Sequence, residues 1–232
     1  MHINVKAFKM TCWIDKDGQR ASPSSILSDK FFGGGAVRWA FTAAPSLGLP
    51  PHLIAFVLLI EDKRFPTHIG VDPIGMVRAF AGNIRGRMRQ GGSTIPQQLA
   101  NVRRISGSGI ILRRNLRYKG LQVANGIRYT LSRTKVALLV EYLGSIYWGR
   151  NYYGLERASM GYFGVSAKDL TPCQSFFLAE RIANPNRFSP QRIRNLVSRP
   201  AIAALLQGEP SNRTDVEKIY REQLTLDGEG KR

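Results

Sequence analysis

Glu61 and Asp62 stand side by side directly after the apolar run HLIAFVLLI, two scarce carboxylates in a chain with 34 Lys and Arg against 16 Asp and Glu. The next acids are Asp72 and then Glu141, and residues 73–140 hold thirteen Lys and Arg with no carboxylate at all. A carboxylate at the end of an apolar helix, facing cations on neighbouring segments, can act as a general base when it is set against a hydroxyl. Neighbouring cations lower its pKa and burial raises it, so its environment decides its state. The plainer alternative is an acidic pair tied to local Arg, with His68 as an ordinary packed or exposed histidine. The stretch GGSTIPQQ offers a second chemistry. Its glycines let backbone approach a ligand closely, and Ser93 and Thr94 sit where the free N–H groups of a helix start point outward, which suits a phosphate. An ordinary Gly–Ser–Thr helix cap reads the same way. Gln97 and Gln98 are adjacent, so at most one of them can face the same ligand as Thr94.

Helices must carry these groups. Pro51 suits the first turn of a helix running to about Phe65, and DPIGMVRAFAGNIRGRM puts Ile74, Val77, Phe80, Ala81 and Ile84 on one stripe. Ser93 and Thr94, with Pro96 close behind, mark another helix start. Residues 113–129 and 133–148 read as two further helices, and YYGLERASMGYFG as a short one closed by Gly164. DLTPCQSFFLAERIANP begins on an Asp/Thr cap, and RIRNLVSRPAIAALLQ is helical with a break before Pro200. No internal repeat and no run of alternating strands emerges. The reading is a mainly α domain: an irregular lead over residues 1–45, a helical domain over 46–200 and a polar tail over 201–232.

Composition narrows the partners. At 232 residues with 43% hydrophobic content the chain can bury a sizeable core, and its net charge of +18 points to a polyanionic partner. Residues 211–232 hold five basic and five acidic residues, so the excess belongs to the chain before them. Cys12 and Cys173 have no metal-ligand spacing, and His2, His52 and His68 form no HxxxH pattern, so no dedicated metal site is expected. The run Leu53–Ile60 is far shorter than the roughly 18–20 residues a spanning helix needs. The first residues lack the apolar region of a signal peptide, so no signal or membrane anchor is visible in the chain. No recognisable nucleic-acid module is present, and nucleic acid is not expected as a partner.

EDKRFPTHIGVD, GGSTIPQQLAN, YWGRNYYGLERASMGYFG and LTPCQSFFLAERIANPNRFSP occur in uninterrupted order over roughly residues 50–195. Together they resemble the penicillin-binding-protein transglycosylases, glycosyltransferase family 51, in a divergent and monofunctional form. That resemblance implies a lysozyme-like helical fold and a peptidoglycan glycosyltransferase at the outer face of the bacterial cell membrane. It implies lipid II and the growing glycan strand as partners, with an anionic membrane surface beneath. By the same resemblance Glu61 deprotonates the acceptor 4-hydroxyl, which attacks the donor's anomeric carbon. Polyprenyl pyrophosphate then leaves, held by cations and often by a divalent metal such as Mg²⁺. Asp62, Phe65 and His68 match the first motif and Ser93, Thr94 and Gln98 the second; they would line the cleft and contact phosphate or sugar. Arg103 and Lys119 would add positive charge.

The chain departs from the family pattern at three polar positions. The third motif ends in Glu in the family, near the departing pyrophosphate; counting back from ALLVEYLGSIYWG puts it at YKGLQ, with Gln122 in its place. Gln122 can hydrogen-bond but supplies neither a carboxylic proton nor a strong cation ligand. The Lys usual two residues after Gln-Gln-Leu is Asn101, with Arg103 and Arg104 nearby, and Gln174 stands at a usual Glu position. Two functional classes follow: a polymerase of lipid II, or a catalytically impaired relative that binds lipid II or glycan without joining it.

Overall fold

A computed structural model describes residues 34–84, 92–108, 116–207 and 216–223. Its centre is a helix with no polar side. Helix α2 (Pro51–Glu61) starts on Pro51, where the missing N–H costs nothing, and buries seven consecutive residues from Leu53 to Leu59. A helix this apolar must be covered all round. Helix α1 (Gly34–Leu47) lies against it and buries Ala36, Val37, Ala40 and Ala44.

Helix α3 (Pro73–Ile84) follows, then α4 (Ile95–Ser108), α5 (Leu116–Leu131) and α6 (Lys135–Ser145). The second half holds α7 (Leu155–Phe163), a 3₁₀ turn (Ala167–Asp169), α8 (Pro172–Arg181), α9 (Pro190–Val197) and α10 (Pro200–Gln207). A last helix, α11, covers residues 216–223. Helices α8 and α10 close the remaining sides of α2, with Phe56 and Phe176 meeting edge-on at 5.6 Å. Among the described residues there is no strand, only an isolated bridge between Tyr147 and Tyr153. The fold is mainly α, as the lysozyme-like expectation requires.

Local chemistry sets several helix ends. Thr134 caps α6 by accepting from Ala137 N–H, and Gly164 ends α7 at φ 68°, a left-handed turn that glycine adopts without strain. Helix α8 opens on a capping box. Thr171 Oγ1 accepts from Gln174 N–H at 3.3 Å, and Gln174 Oε1 accepts from Thr171 N–H at 2.9 Å. The Gln at 174 is thereby explained as a cap, a task in which Gln serves as well as Glu.

Three expectations are corrected. Residues 34–45 are not an irregular lead, because α1 packs on α2. Residues beyond 200 are not simply a polar tail: Ile202 and Leu206 of α10 are buried, as are Val216, Tyr220 and Gln223 of α11. Charged residues among 216–223 mask the apolar side of α11 in a composition count. Of the stripe on α3, Ile74 and Val77 are exposed and the small Ala79 beside it is buried, while the side chains of Phe80, Ala81 and Ile84 fall outside the described residues. That helix is seated at its start, where Asp72 Oδ1 accepts from Gly75 N–H at 2.9 Å, and along the Ala79 side near Gly92.

Candidate active site

Glu61 is the last residue of α2, so the most apolar helix of the fold delivers a carboxylate to its own end. Gln98, in the first turn of α4, donates through Nε2 to Glu61 Oε2 at 3.0 Å. Tyr142 of α6 donates its hydroxyl to Gln98 Oε1 at 2.9 Å. An amide has one acceptor end and one donor end, and with Tyr142 donating to the oxygen the NH₂ end faces Glu61. Burial pushes the Glu61 pKa above its ordinary value. Gln98 and Arg192 pull it back, while Asp62 and Glu180 add to the rise. Burial, with the Glu61 charge beside it, also lifts the Tyr142 phenol well above its ordinary value, so the tyrosine keeps its proton to donate.

Asp62 turns the other way. Its Oδ2 accepts from Ile95 N–H at 2.9 Å, placing a carboxylate at the positive start of α4. His68 Nε2 lies 3.0 and 2.9 Å from the two Asp62 oxygens, and His68 Nδ1 accepts from Gly70 N–H at 3.0 Å. That acceptance leaves the imidazole proton on Nε2, where it is donated to Asp62. Thr94, only 2% exposed, donates Oγ1 to the Gly70 carbonyl at 2.6 Å. Gly70 is held at φ 102°, where a Cβ would lie 2.2 Å from the Gly126 carbonyl oxygen on α5. Two glycines therefore let the loop after α2 touch α5 backbone to backbone.

Phe65 is fully buried, packed edge-on against Trp39 at 5.5 Å with Lys135 Nζ 4.7 Å above its ring. Lys135 also donates to the His68 carbonyl at 2.6 Å. Burial lowers the Lys135 pKa, and the Asp62 charge opposes that fall. Arg64 and Asp72 form a forked ion pair at 2.7–2.9 Å that closes the same loop. Burial raises the Asp72 carboxyl, but the Gly75 N–H and the Arg64 guanidinium outweigh it and hold the pKa below its ordinary value.

The expected contact residues thus divide. Glu61 and Gln98 meet directly. Asp62, Phe65, His68 and Thr94 do not present free polar groups or ring faces to a ligand; they spend them on one another, on Gly70 and on the start of α4. Ser93 and Lys119 form a second group. Lys119 Nζ donates to Ser93 Oγ at 2.9 Å, and Gln122 follows three residues along α5 on the same side. Arg103 lies on α4, and its side chain falls outside the described residues. Tyr142, Lys135, Glu180 and Arg192 are the participants that sequence reasoning missed. Only Glu180 carries a signal, as an acid inside the apolar run SFFLAER.

Mg²⁺ does not fit the second group. It asks for hard, preferably anionic oxygens, whereas Gln122, Lys119 and Ser93 supply an amide, an ammonium and a hydroxyl. Among the described residues no cluster of three or more His, Cys, Asp or Glu could hold a metal ion.

Residues 38–207 match the family model described as Transglycosylase. The biosynthetic peptidoglycan transglycosylase of Thiobacillus denitrificans is 37% identical over 147 residues, 63% of this chain and 61% of that protein. Penicillin-binding protein 1B of Haemophilus influenzae is 35% identical over 155 residues, 65% of this chain but 19% of that protein. Penicillin-binding protein 1A of Vibrio cholerae is 37% identical over 143 residues, 61% of this chain and 17% of that protein. The match therefore spans less than two thirds of each relative. The family model covers most of the chain and takes in the interlocked group around Glu61 and Gln98, and the protein belongs to the transglycosylase family.

Proposed function

We propose that this chain is a peptidoglycan glycosyltransferase that polymerises lipid II. Glu61 takes the proton of the acceptor 4-hydroxyl as its oxygen attacks the donor's anomeric carbon. The bond to the pyrophosphate oxygen breaks, and polyprenyl pyrophosphate departs with the negative charge. The observation that carries this reading is the Tyr142–Gln98–Glu61 chain. A half-buried carboxylate with a raised pKa, oriented by an amide that is itself held by Tyr142, is built for proton abstraction. Ser93, Lys119 and Gln122 serve the leaving group, with Lys119 countering its charge electrostatically. Asp62, Phe65, His68 and Thr94 position the base and the start of α4, and Arg103 adds positive charge along α4.

The test is polymerisation of labelled lipid II by the purified chain, with and without Mg²⁺. Glycan strands are expected, with weak dependence on the metal because the leaving-group residues do not suit it. Binding of lipid II without strand formation overturns the reading.

The substrate sits in a bilayer, and we place the protein at the outer surface of the cell membrane. Its charge of +18 and the exposed Ile69, Ile74 and Val77 beside the site loop support that location. Among the described residues no helix is long and apolar enough to cross a membrane. Basic residues contribute about 1 kcal/mol each near an anionic surface. Salt-sensitive binding to phosphatidylglycerol vesicles is expected; equal and negligible binding to neutral and anionic vesicles at low salt rules it out.

A further inference from the structure

Lys135 stands at the wrong end of its helix. It is the first residue of α6, directly after the Thr134 cap, and no acid in the first turn offsets it. An ammonium there faces the positive end of the helix, where a carboxylate would be favoured. Nor does the side chain extend into water. Its Nζ donates to the His68 carbonyl at 2.6 Å and lies 4.7 Å from the centre of the Phe65 ring, a cation over an aromatic face. A half-buried cation at an unfavourable helix end, gripping two residues of one loop, calls for a reason beyond the stability of α6.

The loop it grips is the one that seats Asp62. His68 holds both Asp62 oxygens through Nε2 at 3.0 and 2.9 Å and takes the Gly70 N–H on Nδ1 at 3.0 Å. Asp62 accepts from Ile95 N–H at 2.9 Å, and the Gly70 carbonyl accepts from Thr94 Oγ1 at 2.6 Å. The loop after α2 thus meets the start of α4 at two points, and the first turn of α4 brings Gln98 to Glu61. The Arg64–Asp72 ion pair braces the loop from within, so it cannot fix where the loop stands against the other helices. Lys135 comes from α6 and can.

Helix α6 also holds the other partner. Tyr142 lies seven residues after Lys135, about two turns and roughly 10 Å along the same side of the helix, and it donates to Gln98 Oε1 at 2.9 Å. Leu138 and Leu139 between them are fully buried, and α6 packs on α4. One rigid helix therefore grips the loop at its start and the amide two turns on. We propose that Lys135 is a positioning residue: by holding the His68 carbonyl it fixes the loop that seats Asp62 on α4, and so fixes where Gln98 stands against Glu61. The proposal rests on the reading of Glu61 as the base.

The experiment reads the loop and the reaction separately. Amide hydrogen exchange of the full ¹⁵N-labelled chain is followed by NMR in the wild type and in Lys135→Met, which keeps the stem on Phe65 and loses the donor. The Gly70 and Ile95 amides, bonded to His68 and Asp62, should exchange at least about tenfold faster, while those of Phe56 and Leu58 in α2 keep their rates. In polymerisation of lipid II, kcat should fall about tenfold with KM within about twofold, as expected when reacting groups are misplaced but substrate still binds. Should Lys135→Met not fold, Lys135→Gln, whose amide is too short to reach the His68 carbonyl, carries the same test. Unchanged protection at Gly70 and Ile95, or equal acceleration throughout α2, overturns the proposal. So does a loosened loop with unchanged kcat, or a loss carried by KM. A wild-type chain that does not polymerise defeats the proposed function, while amide exchange still decides whether Lys135 holds the loop.

Discussion

The two halves of the site are built on different terms. Around Glu61 the motif side chains hold one another: Gln98 is fixed by Tyr142, Asp62 by His68 and Ile95, and Thr94 by Gly70. Around Lys119 there is an ammonium on a hydroxyl and a carboxamide one turn away. The departure at Gln122 that the resemblance implies falls on the second half, and the first keeps the residues of both quoted motifs. A proton moves between two atoms within hydrogen-bond reach, so a misplaced base fails. Charge on a leaving pyrophosphate is felt over many ångströms, so the cations that meet it can be rearranged.

The sharpest break is Glu61→Gln. It keeps the shape and the hydrogen bond to Gln98 but removes the base, and general-base loss costs about 10²–10⁴ in rate. We expect strand formation to vanish within assay limits while lipid II binding and helical content persist. Residual polymerisation above about a tenth of wild type would place the base elsewhere.

Gly70→Ala attacks the frame instead of the chemistry. The added Cβ meets the Gly126 carbonyl at 2.2 Å, at a φ that alanine resists. The loop must lift from α5 and carry with it the acceptor of Thr94. A loss of about 2–3 kcal/mol in stability is expected, read from denaturant unfolding, with a fall in activity of up to about a hundredfold. An unchanged midpoint would mean that the backbone contact between loop and helix carries no weight.

Gln122→Glu tests the other half. If a carboxylate there assists departure of the pyrophosphate, restoring it should raise polymerisation at least about tenfold, or about 1.4 kcal/mol of barrier. The gain should appear with Mg²⁺ and shrink without it, because the change creates the anionic oxygen that the natural chain lacks at that position. No gain in a fast natural enzyme would show that Lys119 and its neighbours already suffice.

Much of this was legible in the sequence, for physical reasons that also mark its limits. The helical frame and its stops are local: Pro51, Thr134, Thr171 and Gly164 announce helix ends through their own backbone preferences. Glu61 and Gln98 stand out by residue type within ordered motifs. What the sequence hides is direction. Asp62 sits next to Glu61 yet points to the start of α4, and Thr94 turns its hydroxyl inward, because the close approach of Gly70 to Gly126 closes that side. Tyr142 lies 44 residues from Gln98 and Tyr220 lies 40 from Glu180, distances over which no periodicity reports. The core role of α1 was hidden for a simpler reason: its buried face is mostly alanine, which composition does not distinguish from a linker.

The smallest expected effect is the most discriminating. Tyr142→Phe keeps the ring in the core of α6 and removes one hydroxyl, leaving Gln98 Oε1 without its donor. The amide is then free to rotate and at times turns its oxygen toward Glu61, which repels the charged carboxylate. The ionised form of Glu61 loses support, so its pKa moves further in the direction in which burial already pushes it. Activity as a base requires the ionised form, so the acid limb of the pH–rate profile must move to higher pH. We expect a loss of about fivefold near neutral pH that shrinks as the pH rises, in kcat rather than KM, with thermal stability lowered only by about the 1 kcal/mol of one hydrogen bond. A loss of equal size at every pH would mean that Tyr142 merely packs, and that the orientation of Gln98 is set by something other than its hydroxyl.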